Sequence, residues 1–477
     1  MPDASEKTRL VVVGGGPGGY AAAFFAAEHG MDVTLIDGEK NPGGVCLYRG
    51  CIPSKALLHA AHLIDDAQDA AEMGIRFGPP AIDLEKLRKH KDSVVSKLVR
   101  GLGSLAKQRE VTYIQGYARF DTPRSLKVET ADGEEQELSF DYAIVATGSR
   151  PATIPSVSID SPRVMDSTSA LDLEEVPDRL LVVGGGYIGL ELGSVYASLG
   201  SSVTVVEMTS SLLPGVDHDL VEPLQRRLKK QFEAILLDTR VVNVEEDDDG
   251  LNVHLSGAPS GATERHFSRM LVAAGRKPNT DSAGLERTAV ELDERGFVSV
   301  DEQRRTGEPT IFAIGDIAGE PMLAHKATHE ARVAVEAIAG QASAWDPAAI
   351  PAVVFTDPEI AWAGITETEA LTRGIDHEVT RFPWAALGRA ATLGRNDGVT
   401  KLILEPQTHR VLGVGIVGRG AGELIAEGVL AVEMGAVASD LQHTIHPHPT
   451  ASESLMEAAE TLFGMSPHYV ERKRRRR

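Results

Sequence analysis

Residues 8–37, TRLVVVGGGPGGYAAAFFAAEHGMDVTLID, read as a strand, a glycine-rich turn, an Ala-rich helix and a second strand. Residues 178–207, DRLLVVGGGYIGLELGSVYASLGSSVTVVE, read the same way. In the first stretch Gly14, Gly16 and Gly19 spell GxGxxG and Asp37 ends the second strand; in the other, Gly184, Gly186 and Gly189 do so and Glu207 ends it. The acid follows the first glycine by 23 residues in both. One GxGxxG alone is a weak signal, but two complete βαβ units with matched spacing leave chance little room. Glycines let the backbone close on a pyrophosphate, and a helix N-terminus offers unpaired N–H groups and a positive dipole. The acid then hydrogen-bonds ribose hydroxyls. Two dinucleotides are therefore expected, with an electron path between them as the natural reason for both. After Glu207 no arginine comes before Arg226, so a 2′-phosphate would meet a carboxylate without a nearby cation, which favours NAD over NADP.

Composition agrees with a large enzyme. A chain of 477 residues suggests about three domains. Lys and Arg total 48 against 69 Asp and Glu, a net charge of −21 that argues against generic nucleic-acid or anionic-membrane binding. Two cysteines cannot staple a secreted scaffold. Forty-seven glycines with 5% aromatics favour many tight backbone approaches over a repeat or fibrous protein. Lys7 and Arg9 precede the uncharged stretch Leu10–Ala27, which superficially resembles a signal peptide or short membrane span. Its GGGPGG core, Gly14–Gly19, would break a spanning helix, so a soluble and cytoplasmic protein is expected.

Elsewhere the chain is strand-rich. Asp132-Gly133 and Asp249-Gly250 sit between alternating segments as hairpin turns. Three strands ending in glycine follow: Tyr142–Gly148, Met270–Gly275 and, within Ile311–Asp316, IFAIGD, with a helix from about Met322. From about Trp345 the character changes to strands KLILE and VLGVGIVG and helices GELIAEGVLAVEMG and SESLMEAAETLFG, a separate C-terminal domain. The expected fold class is α/β: two Rossmann-like dinucleotide-binding domains plus an α+β C-terminal domain. The run Arg472–Arg477 reads as a solvated tail.

Both cysteines, Cys46 and Cys51, lie in GGVCLYRGCIPSKALLHAAHLIDDA. Pro53 and the periodicity of Ala56–Ile64 place Cys51 near a helix N-terminus, where the dipole favours thiolate. The pair reads as redox-active, metal-binding, or two small buried apolar residues. A zinc site needs further ligands, and only His59 and His62 are near, so no metal is expected. Beside two dinucleotide sites, a redox disulfide is the better reading. Glu191 lies on an apolar helix face with Ile188, Leu192, Val195 and Leu199, and a carboxylate there must find a partner. His448 is held between Pro447 and Pro449, and imidazole titrates near neutrality. Glu453 could orient it, yet Thr450–Glu453 is equally a capping box for the last helix. Tyr187, directly after Gly186, could cover the dinucleotide of the first unit until a nicotinamide displaces it, or simply pack.

GGVCLYRGCIPSK resembles the redox-disulfide segment of the flavin-dependent disulfide reductases, usually GGTCLNxGCIPSK. YAIVATGSRP and IFAIGDIAGEPMLAHKATHE are similar to further FAD segments of that family, and HPHPTASE to its C-terminal active-site motif. The resemblance runs from about Thr8 to Met465 in the family's order. It implies FAD held by Gly14, Gly16, Gly19, Asp37, Gly44, Lys55, Gly116, Thr147, Gly148, Asp316, Met322, Leu323, Ala324 and His325. It implies NAD held by Gly184, Gly186, Tyr187, Gly189, Glu207 and Gly275. It implies a Cys46–Cys51 redox disulfide, Lys55 paired with Glu191 beside the flavin, and His448 as base with Glu453 as partner. The histidine would reach the cysteines of the opposite subunit, so a homodimer is implied, with the C-terminal domain as its interface.

VVEMTSSLLPGVDHDL, GEPMLAHKATHE and FPWAALGRA most resemble the branch that oxidises protein-bound dihydrolipoyl groups with NAD⁺. That implies lipoyl domains of 2-oxo acid dehydrogenase complexes or the glycine cleavage H protein as partners. Expected domains are 1–150 (FAD, with the redox pair), 151–278 (NAD), 279–346 (central, completing the FAD site) and 347–477 (dimerisation, with the basic tail). Departures from the family pattern are Tyr48 and Arg49 between the cysteines and Pro447 before His448. Rival readings are a glutathione-type reductase, against which Glu207 argues, and a non-catalytic subunit binding FAD and NAD. Mercuric reductase and the large thioredoxin reductases need a further thiol pair, and no cysteine follows Cys51.

Overall fold

The structure is a computed structural model that describes residues 7–470 apart from 158, 258–260 and 262. The basic run Arg472–Arg477 lies outside the described residues. Leu10–Val13 are buried apolar residues in strand β1 (Arg9–Val13), as expected of a parallel strand covered on both faces. The glycine turn leads to α1 (Pro17–Glu28), then β2 (Asp32–Asp37), paired parallel to β1. Ala21, Ala22, Ala23 and Ala26 of α1 are buried, and their small size lets another helix approach closely. Two further helices, α2 (Gly44–Arg49) and α3 (Cys51–Asp69), carry the cysteines, and the amphipathic α4 (Leu84–Gln108) leads on to the rest of the sheet. That sheet gains β3 (Thr112–Thr122), β4 (Ser125–Thr130) and β5 (Glu135–Ser139) on one side and β6 (Tyr142–Val145) on the other. The β4–β5 hairpin turns at Asp132-Gly133 as expected.

The seven-stranded sheet is completed from far along the chain. Strand Ile311–Ala313 pairs parallel to β6, so the order is Ile311–Ala313, β6, β1, β2, β3, β4, β5. A helix from Ala324 to Ile338 follows and packs on α1 through Ala331 and Ala334. It starts two residues later than its sequence pattern suggests, because Leu323 is extended and serves as N-cap.

The second unit repeats the plan. Strand Arg179–Val183, α5 (Tyr187–Leu199) and strand Ser202–Val206 form its βαβ core, with α6 (His218–Gln231) after it. Its sheet is parallel and five-stranded, and an antiparallel sheet of Arg240–Glu246, Leu251–Ser256 and Thr263–Phe267 is appended, as β4 and β5 are appended to the first. In both units the strand before the glycine turn lies between strands reached by opposite windings, the switch point where α/β sheets bind ligands. The C-terminal unit is a five-stranded antiparallel sheet backed by helices Ala421–Glu433 and Glu453–Leu462. The architecture is the expected α/β class with an α+β C-terminal unit. Among the described residues no helix is long and apolar enough to cross a membrane.

One wholly buried carboxylate pins the returning segment. Glu330 is 0% exposed, with Arg304 at 3.0 Å and Lys326 at 3.1 Å, and it accepts the Gly315 N–H at 2.6 Å. Removing one member of a buried ion set strands the others in a low dielectric. Glu330→Gln should therefore lower the unfolding free energy by about 3 kcal/mol in a denaturant titration, and a loss under about 1 kcal/mol would contradict this account.

Candidate active site

The two glycine turns are built alike. Gly14 and Gly184 adopt φ of +102° and +111°, a region L side chains avoid, and a side chain on either would collide with the carbonyl of Ala146 or Ala273. Gly19 and Gly189 bring the helix backbone onto the carbonyls of Gly14 and Gly184. Gly16 and Gly186 are the N-caps of α1 and α5, and a Cβ on either would meet nothing within 4 Å. The space before both helix N-termini is thus clear, with N–H groups facing it, as a pyrophosphate requires. The acids match too. Asp37 accepts the N–H groups of Gly15 (2.6 Å) and Glu39 (2.9 Å); Glu207 accepts those of Gly185 (2.7 Å) and Thr209 (2.8 Å). Burial pushes the Asp37 carboxyl up, and its two N–H bonds oppose that shift.

A cavity of about 380 Å³ opens at the first turn. Gly14, Gly16, Asp37 and Gly44 line its nucleotide end, and Cys46, Cys51 and Lys55 line it further on. Thr147, Gly148, Asp316, Met322 and Ala324 close it from the central strands, and the second unit contributes Tyr187 and Glu191. These residues fit an FAD: clear space before a helix N-terminus, a ribose-binding acid, and the dithiol within the same cavity. The remaining residues of the expected FAD set do not line it. Gly19 packs against Gly14, and the side of Gly116 is closed by the β4 backbone at Glu129 and Thr130, leaving its neighbour Tyr117 on the cavity wall. Leu323 is absent from the wall, and the His325 ring points away, with Nε2 2.7 Å from the Pro351 carbonyl. Gly184, Gly186, Gly189, Glu207 and Gly275 belong to the second turn outside this cavity, which Arg276 rather than Gly275 reaches.

Cys51 is the first residue of α3, and Cys46 lies on the preceding helix. Both are thiols in the structure. The Cys46 thiol hydrogen-bonds Cys51 and lowers its pKa to about 7, with Lys55 acting the same way against burial. Cys46, as the donor in that hydrogen bond, is pushed far up, and burial and the charge on Cys51 add to the shift. Lys55 Nζ is 2.7 Å from Glu191 Oε2, and the other Glu191 oxygen accepts the Phe355 N–H at 3.0 Å. Glu191 is almost fully buried, so the apolar helix face found the partner it required.

At the C-terminal unit, His448 Nδ1 is 2.8 Å from Glu453 Oε1, while Glu453 Oε2 accepts the Thr450 N–H at 2.7 Å. The capping box expected at Thr450–Glu453 does not form: Ser452 is the N-cap of the last helix, without a side-chain cap, and Glu453 is the first helical residue, so its carboxylate serves to orient His448. The His448 side chain is 71% exposed, whereas His446 is 5% exposed and engaged by Glu427 and the Thr444 carbonyl. His448 is not on the wall of the dithiol cavity, so one chain presents its His–Glu pair and its dithiol on separate surfaces. The carboxylates of Asp217, Asp219 and Glu367 also converge, but Lys401 Nζ lies 2.6–2.9 Å from each and fills their centre.

Sequence reading missed the supports of the cavity wall. Ser149 donates to Asp316 at 2.5 Å and receives Arg276 Nε at 2.7 Å, and Asn279 clasps Thr147 through its amide and backbone carbonyl. Only Glu330 left a signal, as an acid four residues after Lys326 on an Ala-rich helix. In the reduced protein, one cysteine should alkylate with a midpoint near pH 7 while the other stays unreactive well above it. Because Lys55 favours the thiolate, Lys55→Met should raise that midpoint; peptide mapping after alkylation across a pH series checks both.

Residues 8–331 match the pyridine nucleotide-disulphide oxidoreductase family, and residues 350–459 match its dimerisation domain. The dihydrolipoyl dehydrogenase of Vibrio parahaemolyticus is 49% identical over 458 residues, 96% of either chain. Dihydrolipoyl dehydrogenase 2 of Haloarcula marismortui is 44% identical over 98% of this chain and 99% of its own. Among solved structures, LpdA of Mycobacterium tuberculosis superposes with a TM-score of 0.87 at 29% identity, covering 95% of this chain and 99% of that one. The HOCl-induced flavoprotein disulfide reductase RclA of Escherichia coli gives a TM-score of 0.84 at 29% identity with the same coverage. The chain belongs to the pyridine nucleotide-disulphide oxidoreductases and is a flavoprotein enzyme that works with FAD and NAD.

Proposed function

We propose that the protein oxidises protein-bound dihydrolipoyl groups to lipoyl groups and passes the electron pair to NAD⁺, the activity of a dihydrolipoyl dehydrogenase. The observation that carries the chemistry is the dithiol in the flavin cavity, with Cys51 lowered to about 7 next to Lys55, which pairs with the buried Glu191. The substrate class rests on identity spread over nearly the whole chain with dihydrolipoyl dehydrogenases. Bound FAD supplies a two-electron relay between this dithiol and the nicotinamide.

The chain's own groups do the rest. With Nδ1 directed at Glu453, His448 has Nε2 to take the proton of one substrate thiol. The resulting thiolate attacks Cys46 Sγ of the oxidised pair, and Cys51 leaves as the more acidic thiol. The second substrate thiol, on losing its proton, attacks the sulfur bonded to Cys46, closes the lipoyl disulfide and expels Cys46. Two electrons and two protons have then left the substrate, and the cysteine pair is reduced.

Because His448 and the dithiol face different surfaces of one chain, we assign them to a shared site in a homodimer, His448 of one chain serving Cys46 and Cys51 of the other. In this reading 1–150 with 279–346 hold FAD, 151–278 hold NAD, and 347–477 form the dimer contact. Lipoyl domains of 2-oxo acid dehydrogenase complexes or the glycine cleavage H protein would deliver the substrate in the cytoplasm. A glutathione-type reductase using NADPH is disfavoured by Glu207, whose carboxylate stands where a 2′-phosphate would need a cation.

The test is a paired assay of dihydrolipoamide with NAD⁺ against oxidised glutathione with NADPH. Turnover should appear in the first only and disappear in Cys46→Ser; activity surviving in that variant would overturn the mechanism.

A further inference from the structure

Tyr48 and Arg49 stand between the cysteines, where their family counterparts are an asparagine and a small residue, and the redox chemistry does not use them. Both reach the same short segment. The Tyr48 hydroxyl donates to the Asn41 carbonyl at 3.0 Å and accepts the Asn41 N–H at 3.3 Å. Arg49 Nη2 is ion-paired to Glu39 Oε1. The segment Gly38–Asn41 directly follows Asp37, and Gly38, Glu39 and Arg49 all line the dithiol cavity together with Asp37. From the other side β3 holds the segment through alternate residues of one strand face. Tyr113 donates to the Glu39 carbonyl at 2.7 Å, Gln115 donates to the Gly38 carbonyl at 3.1 Å, and the Tyr117 hydroxyl packs on Gly38.

The two anchors differ in kind. The β3 side is a fixed strand of the central sheet. The α2 side is one neutral hydrogen-bond pair and one ion pair with side chains 42% and 26% exposed, the weaker and more easily opened contact. A dinucleotide bound with its ribose at Asp37 and its pyrophosphate at Gly16 would lie against Gly38 and Glu39 of this segment.

We propose that Tyr48 and Arg49 form a clasp that holds the Gly38–Asn41 loop shut over the adenosine end of the cavity and slows release of the bound dinucleotide. This rests on the assignment of the cavity to FAD. Arg49 and Tyr48 are positioning residues here: they act on the cofactor through the loop.

The experiment measures FAD release from the holoenzyme by the fluorescence of freed flavin after dilution. Arg49→Met and Glu39→Gln should each speed release about fivefold, the scale of a half-exposed ion pair. The double variant should release no faster than either single one, Arg49→Lys should restore most of the wild-type rate, and Tyr48→Phe should show a smaller acceleration. Because these contacts join protein to protein, losing them should lower the thermal stability of the apoprotein by no more than a few degrees. Release rates equal to wild type in both Arg49→Met and Glu39→Gln, or Arg49→Lys releasing as fast as Arg49→Met, would overturn the clasp. Wild-type protein that takes up no FAD would overturn the cofactor assignment beneath it.

Discussion

A carboxylate withdrawn from water must be matched by a cation and hydrogen bonds, and the site depends on how Glu191 meets that demand. Its partners come from three parts of the chain. The carboxylate itself is on α5 of the second unit, Lys55 is on the helix that Cys51 begins, and the Phe355 N–H belongs to the C-terminal region. One buried side chain therefore fixes the mutual position of all three units at the point where the dithiol lies. The same contact sets the chemistry. Lys55, held by Glu191, is one of the groups that keep Cys51 acidic enough to be a leaving group, while Cys46 stays protonated and donates to it.

The two dinucleotide turns are near copies, down to the N–H groups that each acid accepts. Their surroundings differ. The first is walled by the cysteine helices and by the strand and helix returning from residues 311–338, which makes a cavity suited to a resident cofactor. The second reaches that cavity through the start of α5, Tyr187 and Glu191 among its residues, and through Arg276. Such an arrangement suits a nicotinamide that visits from its own side. Tyr187, 40% exposed at the first turn of α5, stands between the two.

What the sequence made legible follows from what local patterns can encode. The glycine turns, the acids and the strand endings were readable because each is dictated by backbone geometry within some thirty residues. The return of Ile311–Ala313 to the first sheet was readable only as a repeated strand-glycine pattern, since pairing with β6 is a long-range event. Helix α4 (Leu84–Gln108) went unread, although its polar and apolar residues alternate at helical period, because no motif drew attention to it. Ser149, Arg276 and Asn279 left no signal, as their roles exist only once Ser149–Pro151 pairs with Arg276–Pro278. Glu453 illustrates the reverse case: sequence posed capping against orientation as alternatives, and because the helix begins only at Glu453, with Ser452 as its N-cap, the carboxylate is left to orient His448.

In the proposed reaction the reduced pair keeps its thiolate at Cys51, in the cavity assigned to FAD. Anaerobic titration of the purified enzyme with NADH reads that thiolate out. A long-wavelength charge-transfer band should develop in the wild type, be absent in Cys51→Ser and persist in Cys46→Ser. A band that survives loss of Cys51, or a wild-type enzyme that never develops one, would contradict that placement.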